Sequence, residues 1–375
     1  MPSSTSSSEP APQRVERGYA RRVPAIRWAT IALGALVLAV VATGVWEASM
    51  RHLGLRAGDL DDGDGAWAVE RRKVDSGPRD QVVLIGDSRI LFDSDLAIWQ
   101  QLTGIRPIQL ALEGTNGGPF LEELANDEHF AGLVVIGIAP TSFFRDGIGL
   151  HSKVLKYLHS ESPSQRLGHI LDKQLQRSFA FLDANYALFP LIERRRMPER
   201  PSLIEDHSNP YYDVWKLRET TDDRQTTMWP RIQTDRYLNE HARLAWGDFA
   251  GKVIPDQSIA TVIAKAKINV DRIRARGGEV VWLRPPSSGK VLINENLRLA
   301  RPRSWDLLLR ETHSFGVHFE DYPAAVAMSC PELSHLNARD ASEFTRIYVT
   351  ALREHVPWLQ THANAGAGHE RPDSR

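Results

Sequence analysis

The sequence predicts an α/β domain on a parallel β-sheet flanked by helices, with a helical insertion and an N-terminal transmembrane helix. Three observations predict it. Short apolar runs alternate with helix-period stretches at Val82–Ile85, Leu133–Ile138 and Glu279–Leu283; strands without in/out alternation are those buried on both faces, as in parallel sheets. The alternation stops between Thr141 and Pro255 and then resumes. Trp28 to Trp46, nineteen residues without a charge, stand apart near the N-terminus.

Residues 1–13 are rich in Ser, Pro and Ala and have no apolar periodicity, which predicts disorder. Arg14, Arg17, Arg21, Arg22 and Arg27 make residues 1–27 a basic tail. At roughly 1.5 Å of rise per residue, Trp28–Trp46 crosses most of a ~30 Å hydrocarbon layer, with tryptophan at both ends. That length, and the lack of a cleavage site after it, predict an uncleaved anchor over a secretory signal or a buried core helix. The positive-inside rule puts residues 1–27 in the cytoplasm and everything after Trp46 outside it. The expected localisation is therefore a single-pass protein of the inner membrane with its domain in the periplasm.

Residues 47–80 read as a linker. Asp59, Asp61, Asp62 and Asp64 alternate with glycine like a calcium loop, but Ala66-Trp67-Ala68 supplies no ligand side chain before Glu70. From residue 81 to 358 the domain follows. Val82–Ile85 is the first strand; Ser94 or Asp95 caps a helix running through Leu102; Pro107–Leu112 is the second strand. Pro119–Asn126 reads as a helix with proline in its first turn, and Leu133–Ile138 as the third strand. Val253–Arg276 holds a long amphipathic helix ended by Gly277-Gly278, then Glu279–Leu283 and Val317–Phe319 are strands four and five. Ala338–Glu354 is the last helix, and residues 359–375 a disordered tail. The insertion, residues 141–255, is rich in Arg, His, Trp and Tyr. It reads either as a cap over the ligand edge of the sheet or as packing without a substrate role.

Forty-six basic side chains against forty-seven acidic ones leave a formal charge of -1, so no overall field recruits nucleic acid. Cys330 is the one cysteine, which rules out an intrachain disulfide and a cysteine metal cluster. His313 and His318 have no third ligand patterned nearby, so neither a metal nor a cofactor is expected.

Gly86-Asp87-Ser88 closes the first strand, and far downstream Glu332-Leu333-Ser334-His335-Leu336-Asn337 precedes the last helix. A serine delivered at a strand end and a late acid-x-x-histidine point to nucleophilic acyl chemistry, because a serine hydroxyl is a weak nucleophile until an imidazole takes its proton. The competing readings are a helix cap for Ser88 and a solvent-facing acid before a helix for Glu332. Ligands of parallel sheets bind beyond the carboxyl ends of the strands, where Ser88, Gly114, Pro140 and Pro285 all fall.

These blocks resemble the SGNH (GDSL-like) hydrolase and acyltransferase superfamily over residues 82–355 apart from the insertion. Leu84-Ile85-Gly86-Asp87-Ser88 matches its first block. Gln109-Leu110-Ala111-Leu112-Glu113-Gly114-Thr115-Asn116 and Ser334-His335-Leu336-Asn337 are similar to a membrane-anchored bacterial branch that includes exopolysaccharide O-acetyltransferases. The resemblance implies a three-layer fold, Ser88 as nucleophile, His335 as its base, and Gly114 as an oxyanion donor through its N–H. Two departures stand out. Glu332 replaces the family's aspartate, and Gly137-Ile138-Ala139-Pro140 lacks the third-block asparagine. Asn116 is the candidate to supply that donor, with a plain turn asparagine as the alternative. Arg284, after the fourth strand, could meet an anionic substrate group or form a surface ion pair. Trp215, Trp229, Tyr237 and Trp246 could stack on sugar rings or pack the core.

The resemblance thus implies an extracytoplasmic serine esterase or O-acyltransferase acting on an acyl ester or carbohydrate. A multi-pass membrane partner that supplies acyl donors stays open. The other reading is a non-catalytic accessory protein that binds polysaccharide or a membrane partner.

Overall fold

The strand β1 (Val82–Gly86) is buried along its whole length, and its side chains divide between two cores. Val82 and Leu84 enter one, Val83 and Ile85 the other. A strand that buries both faces needs a helical layer on each. The computed structural model describes residues 27–145, 150–187, 192, 216–244, 246 and 253–363. The chain divides into two units, residues 1–48 and 49–375.

The helix α1 (Trp28–His52) is 25 residues long, buries none of them, and reaches a mean hydropathy of 2.1, enough in length and composition to cross a bilayer. It runs past Trp46, where the apolar stretch ends, because no helix breaker follows before Gly54.

The segment read as an acidic linker, 47–80, is instead part of the domain. Asp64–Ser76 forms the helix α2, whose Trp67 is fully buried and donates its indole N–H to the Leu110 carbonyl at 3.0 Å. The acids ahead of it are counter-ions. Asp62 pairs with the buried Arg224, and Asp59 with the buried Lys216. Composition alone suggested a solvated stretch because the cations that answer it lie more than 150 residues away.

After β1 come the one-turn helix α3 (Ser88–Phe92) and α4 (Leu96–Thr103), whose cap is Asp95, accepting from Ala97 N and Ile98 N. Next is β2, only Ile108–Gln109 rather than the expected Pro107–Leu112. Leu110 N and Leu112 N still bond to β1, but the carbonyls of Gln109 and Ala111 accept from Arg224. A guanidinium thus takes the place of a neighbouring strand. α5 (Gly118–Asn126) leads to β3 (Leu133–Gly137).

The insertion contains α6 (Pro140–Phe143), α7 (His151–Ser160), α8 (Pro163–Ser178), an antiparallel pair β4 (Arg218–Thr220) and β5 (Thr226–Met228), α9 (Arg231–Thr234) and α10 (Arg236–Leu244). It contributes Met228, Trp229, Ile232 and Ala242 to the first core. Alternation resumes with α11 (Asp256–Arg274), which starts after Pro255, then β6 (Glu279–Arg284), α12 (Gly289–Arg298), α13 (Trp305–Thr312) and β7 (Gly316–His318). The short α14 (Pro323–Val326) precedes α15 (Ala338–His355) and α16 (Pro357–Ala363). Leu359 is fully buried, so the chain leaves the core later than position 359.

The sheet is parallel throughout, in the order β2-β1-β3-β6-β7. Trp99 and Tyr348, joined by an indole-to-hydroxyl bond of 2.7 Å, belong to the first core, and α2, α5, α11 and α13 pack into the second.

Candidate active site

Ser88 owes its position to two glycines. Gly86 has φ +137, and a side-chain carbon at Gly137 would lie 2.3 Å from Ile90 Cβ. Without side chains on these paired strand ends, α3 can settle directly on the sheet edge. Asp87 caps that turn: one carboxylate oxygen accepts from Arg89 N at 3.0 Å, the other from Ala139 N at 3.1 Å. The turn that presents Ser88 is thereby tied to the end of β3.

The same turn holds the histidine. Phe92 stacks on the His335 ring with centroids 4.4 Å apart, and Asp93 accepts from Leu336 N at 2.8 Å. From the other side, Leu333 O accepts from Ser288 N at 2.9 Å, which fixes the histidine loop to the end of β6. The result is a chain of three groups. His335 Nε2 lies 2.8 Å from Ser88 Oγ, and His335 Nδ1 lies 2.9 Å from Glu332 Oε1.

Glu332 is fully buried, and its Oε1 also accepts from the amides of Ser334 at 3.2 Å and His335 at 2.5 Å. Leu333, between the carboxylate and the imidazole in the chain, takes a left-handed φ of 83°. The second oxygen of Glu332 accepts from the indole of Trp246. Burial raises the Glu332 pKa, but His335 and these donors more than offset it, so the carboxyl stays below its usual range. Burial lowers the His335 pKa, and the Glu332 charge and hydrogen bond reverse that, so the imidazole lies above its ordinary value. Such an arrangement can draw a proton from Ser88 as its oxygen attacks a carbonyl carbon.

A cavity of about 360 Å³ opens beside Ser88, lined among others by Gly114, Thr115, Ser142, Trp246 and Asn294. Gly114 has φ 64°, a backbone that favours glycine, so the expected donor position sits on this cavity. Asn116 does not line it. Its Oδ1 accepts from Gly118 N at 3.0 Å and its Nδ2 donates to the Arg145 carbonyl at 3.5 Å, which makes it a turn residue beside a second cavity of about 280 Å³. Ala139 N, just past the end of β3, serves Asp87.

Arg284 is not at the site's surface. It is buried, pairs with Glu295 at 2.7 Å, donates to Ser287 Oγ at 3.0 Å and lies over Phe319. Burial and Arg89 push its pKa down to about 10 against the pull of Glu295. It supports Glu295 instead of meeting a ligand, because the loop after β6 turns back over it. Trp229 is core, its ring beside Lys216 and Arg231. Trp215 and the Tyr237 side chain lie outside the described residues. Trp246 does reach the cavity, with its ring 5.6 Å from that of His335.

Two lining groups carried no signal in the sequence. Thr115 is fully buried and its hydroxyl has no hydrogen-bond partner among the described residues. Arg89, next to Ser88, pairs with Glu295 at 2.5 Å and leaves its Nη1 buried without one. No known protein family matches the chain, and no curated protein matches it.

Proposed function

We propose that this chain is an SGNH-like serine esterase or O-acyltransferase, anchored in the inner membrane by α1 with its domain on the periplasmic side. The observation that carries the reading is the run Ser88 Oγ, His335, Glu332 at 2.8 and 2.9 Å, beside a cavity at the carboxyl edge of a parallel sheet. In the reaction, His335 Nε2 accepts the Ser88 proton while Oγ bonds to the acyl carbon. The tetrahedral oxyanion is held by the amides of Ser88 and Gly114 and by the Thr115 hydroxyl, whose burial without a partner suits an incoming oxygen. The carbon–oxygen bond to the leaving alcohol then breaks as His335 returns the proton to it. Water or a sugar hydroxyl, deprotonated in turn by His335, attacks the acyl-serine and releases the acid or the new ester.

The missing third-block asparagine is the observation that favours a non-catalytic accessory role, and one experiment separates the two. A fluorophosphonate probe should label the full chain in detergent at Ser88, and Ser88→Ala and His335→Ala should each lose labelling and nitrophenyl acetate turnover. Equal labelling and turnover in the parent and both variants would remove Ser88 and His335 from the mechanism. A folded parent that does neither would leave the accessory reading.

A further inference from the structure

The helix α8 is amphipathic, and its polar side is the one turned inward. Gln176 is buried; its side-chain carbonyl accepts from Asp61 N at 2.7 Å and its backbone carbonyl from Gly58 N at 2.9 Å. A side-chain carbon at Gly65 in α2 would lie 3.1 Å from the His169 ring, so the histidine also faces the domain. The cations of α8 are paired within the domain: Arg166 with Glu161, and Lys173 and Arg177 with Asp222.

The outer side is apolar. Leu167, Ile170, Leu171, Leu175 and Phe179 are between 39% and 57% exposed. At about 3.6 residues per turn they span half of the helix surface, and no charged residue falls among them. A helix on a water-facing surface does the reverse and turns such a stripe to the core. Single exposed apolar residues mean little, whereas a contiguous stripe marks a contact with protein or membrane.

Position in the chain selects the membrane. Met50 and Leu53 pack against the first core and Leu55 is buried in it. Only Glu47, Ala48 and Ser49 separate Met50 from Trp46, the end of the apolar run, so about 14 Å of extended chain at most joins the core to the anchor. The segment that receives α8 follows directly, with Arg56 and Ala57 between Leu55 and Gly58. α8 is thus docked on the first stretch of the domain to leave the anchor.

We propose that α8 lies in the membrane surface as a second attachment beside α1, its apolar stripe about 5–10 Å deep at the boundary of headgroups and acyl chains. The proposal rests on α1 being the anchor. Because the cations of α8 are paired, apolar burial drives the insertion and no anionic lipid is needed.

Fluorescence of the full chain in phosphatidylcholine vesicles tests this, with the dye NBD attached to Leu171→Cys or, as a water-facing reference, to Glu343→Cys in α15, where the native side chain is 58% exposed. The chain without an added cysteine corrects for labelling of the buried Cys330. Both labelled chains should float with the vesicles. Lipids carrying a nitroxide near the headgroup end of the acyl chain should quench position 171 by about twofold or more relative to 343. Adding Leu167→Gln and Leu175→Gln should bring the signal at 171 back toward that at 343 without loss of flotation. Equal quenching at both positions in chains that float would overturn the proposal and leave the anchor standing. A blue-shifted signal at 171 that lipid nitroxides do not reach would mean that protein covers the stripe, and would overturn it as well. Chains that stay out of the vesicles would remove the anchor and the α8 attachment together.

Discussion

His335 sits between burial, which disfavours its charged form, and Glu332, which favours it more strongly. As a general base it must be neutral, so activity should rise with pH through an apparent pKa above the ordinary value of about 6.5. Glu332→Gln removes the charge that raises this pKa. The acid limb of kcat/KM should then move to lower pH while the plateau falls, whereas Glu332→Asp keeps the charge and should hold the limb near that of the parent. An unmoved limb in Glu332→Gln would detach the acid from the histidine. Asp93 gives the complementary case. Its burial raises the carboxyl to about 7, against the pull of His335 and the Leu336 amide, and one of its oxygens has no partner. A carboxyl raised from an unfolded value of about 3.9 binds a proton more readily when folded, so it favours the fold below that value and loses this contribution as pH climbs to about 7. Asp93→Asn keeps the acceptor for Leu336 N. It should melt higher than the parent at pH 8, with the gap closing toward pH 4. A gap that does not change with pH would mean that Asp93 does not titrate in this range.

At the level of elements, the segment before α2 and the pair β4–β5 are joined by buried charge. Arg224 meets Asp62, which Arg218 also contacts at 2.9 Å, and it donates to the open side of β2. Removing one partner of such a pair leaves an uncompensated buried charge and typically costs roughly 3–5 kcal/mol. Asp62→Ala should therefore destabilise the domain by about that amount in urea unfolding, while Asp64→Ala, whose partner Lys153 is exposed, should change it by less than about 1 kcal/mol. Equal effects would show that the acids before α2 act only as surface charge. The strands of the parallel sheet were legible in the sequence because they are buried between two helical layers and so read as apolar runs, whereas β4 and β5, polar and short, lie in the stretch read as a helical insertion. The extent of β2 was not, since its outer side is satisfied by an arginine more than a hundred residues away.

For the whole molecule, topology is the first matter to test. With the basic tail before Trp28 held in the cytoplasm, a reporter active only outside it and fused after Arg375 should work; activity only from a cytoplasmic reporter would reverse the orientation. What the sequence by itself determined was local: an apolar helix long enough for a bilayer, a parallel sheet, a serine at the end of its first strand and a histidine before a late helix. Each is carried by neighbours in the chain, through hydrophobic period, caps and breakers. The tertiary structure alone decided what those residues meet. It set Ser88, His335 and Glu332 in one line, gave Glu332 a second partner in Trp246, withdrew Asn116 into a turn and Arg284 beneath the surface, and brought Arg89, Arg145 and Arg298 to one cavity. Those contacts join segments far apart in the chain, and the energy of a buried charge or hydrogen bond depends on the partner that folding delivers.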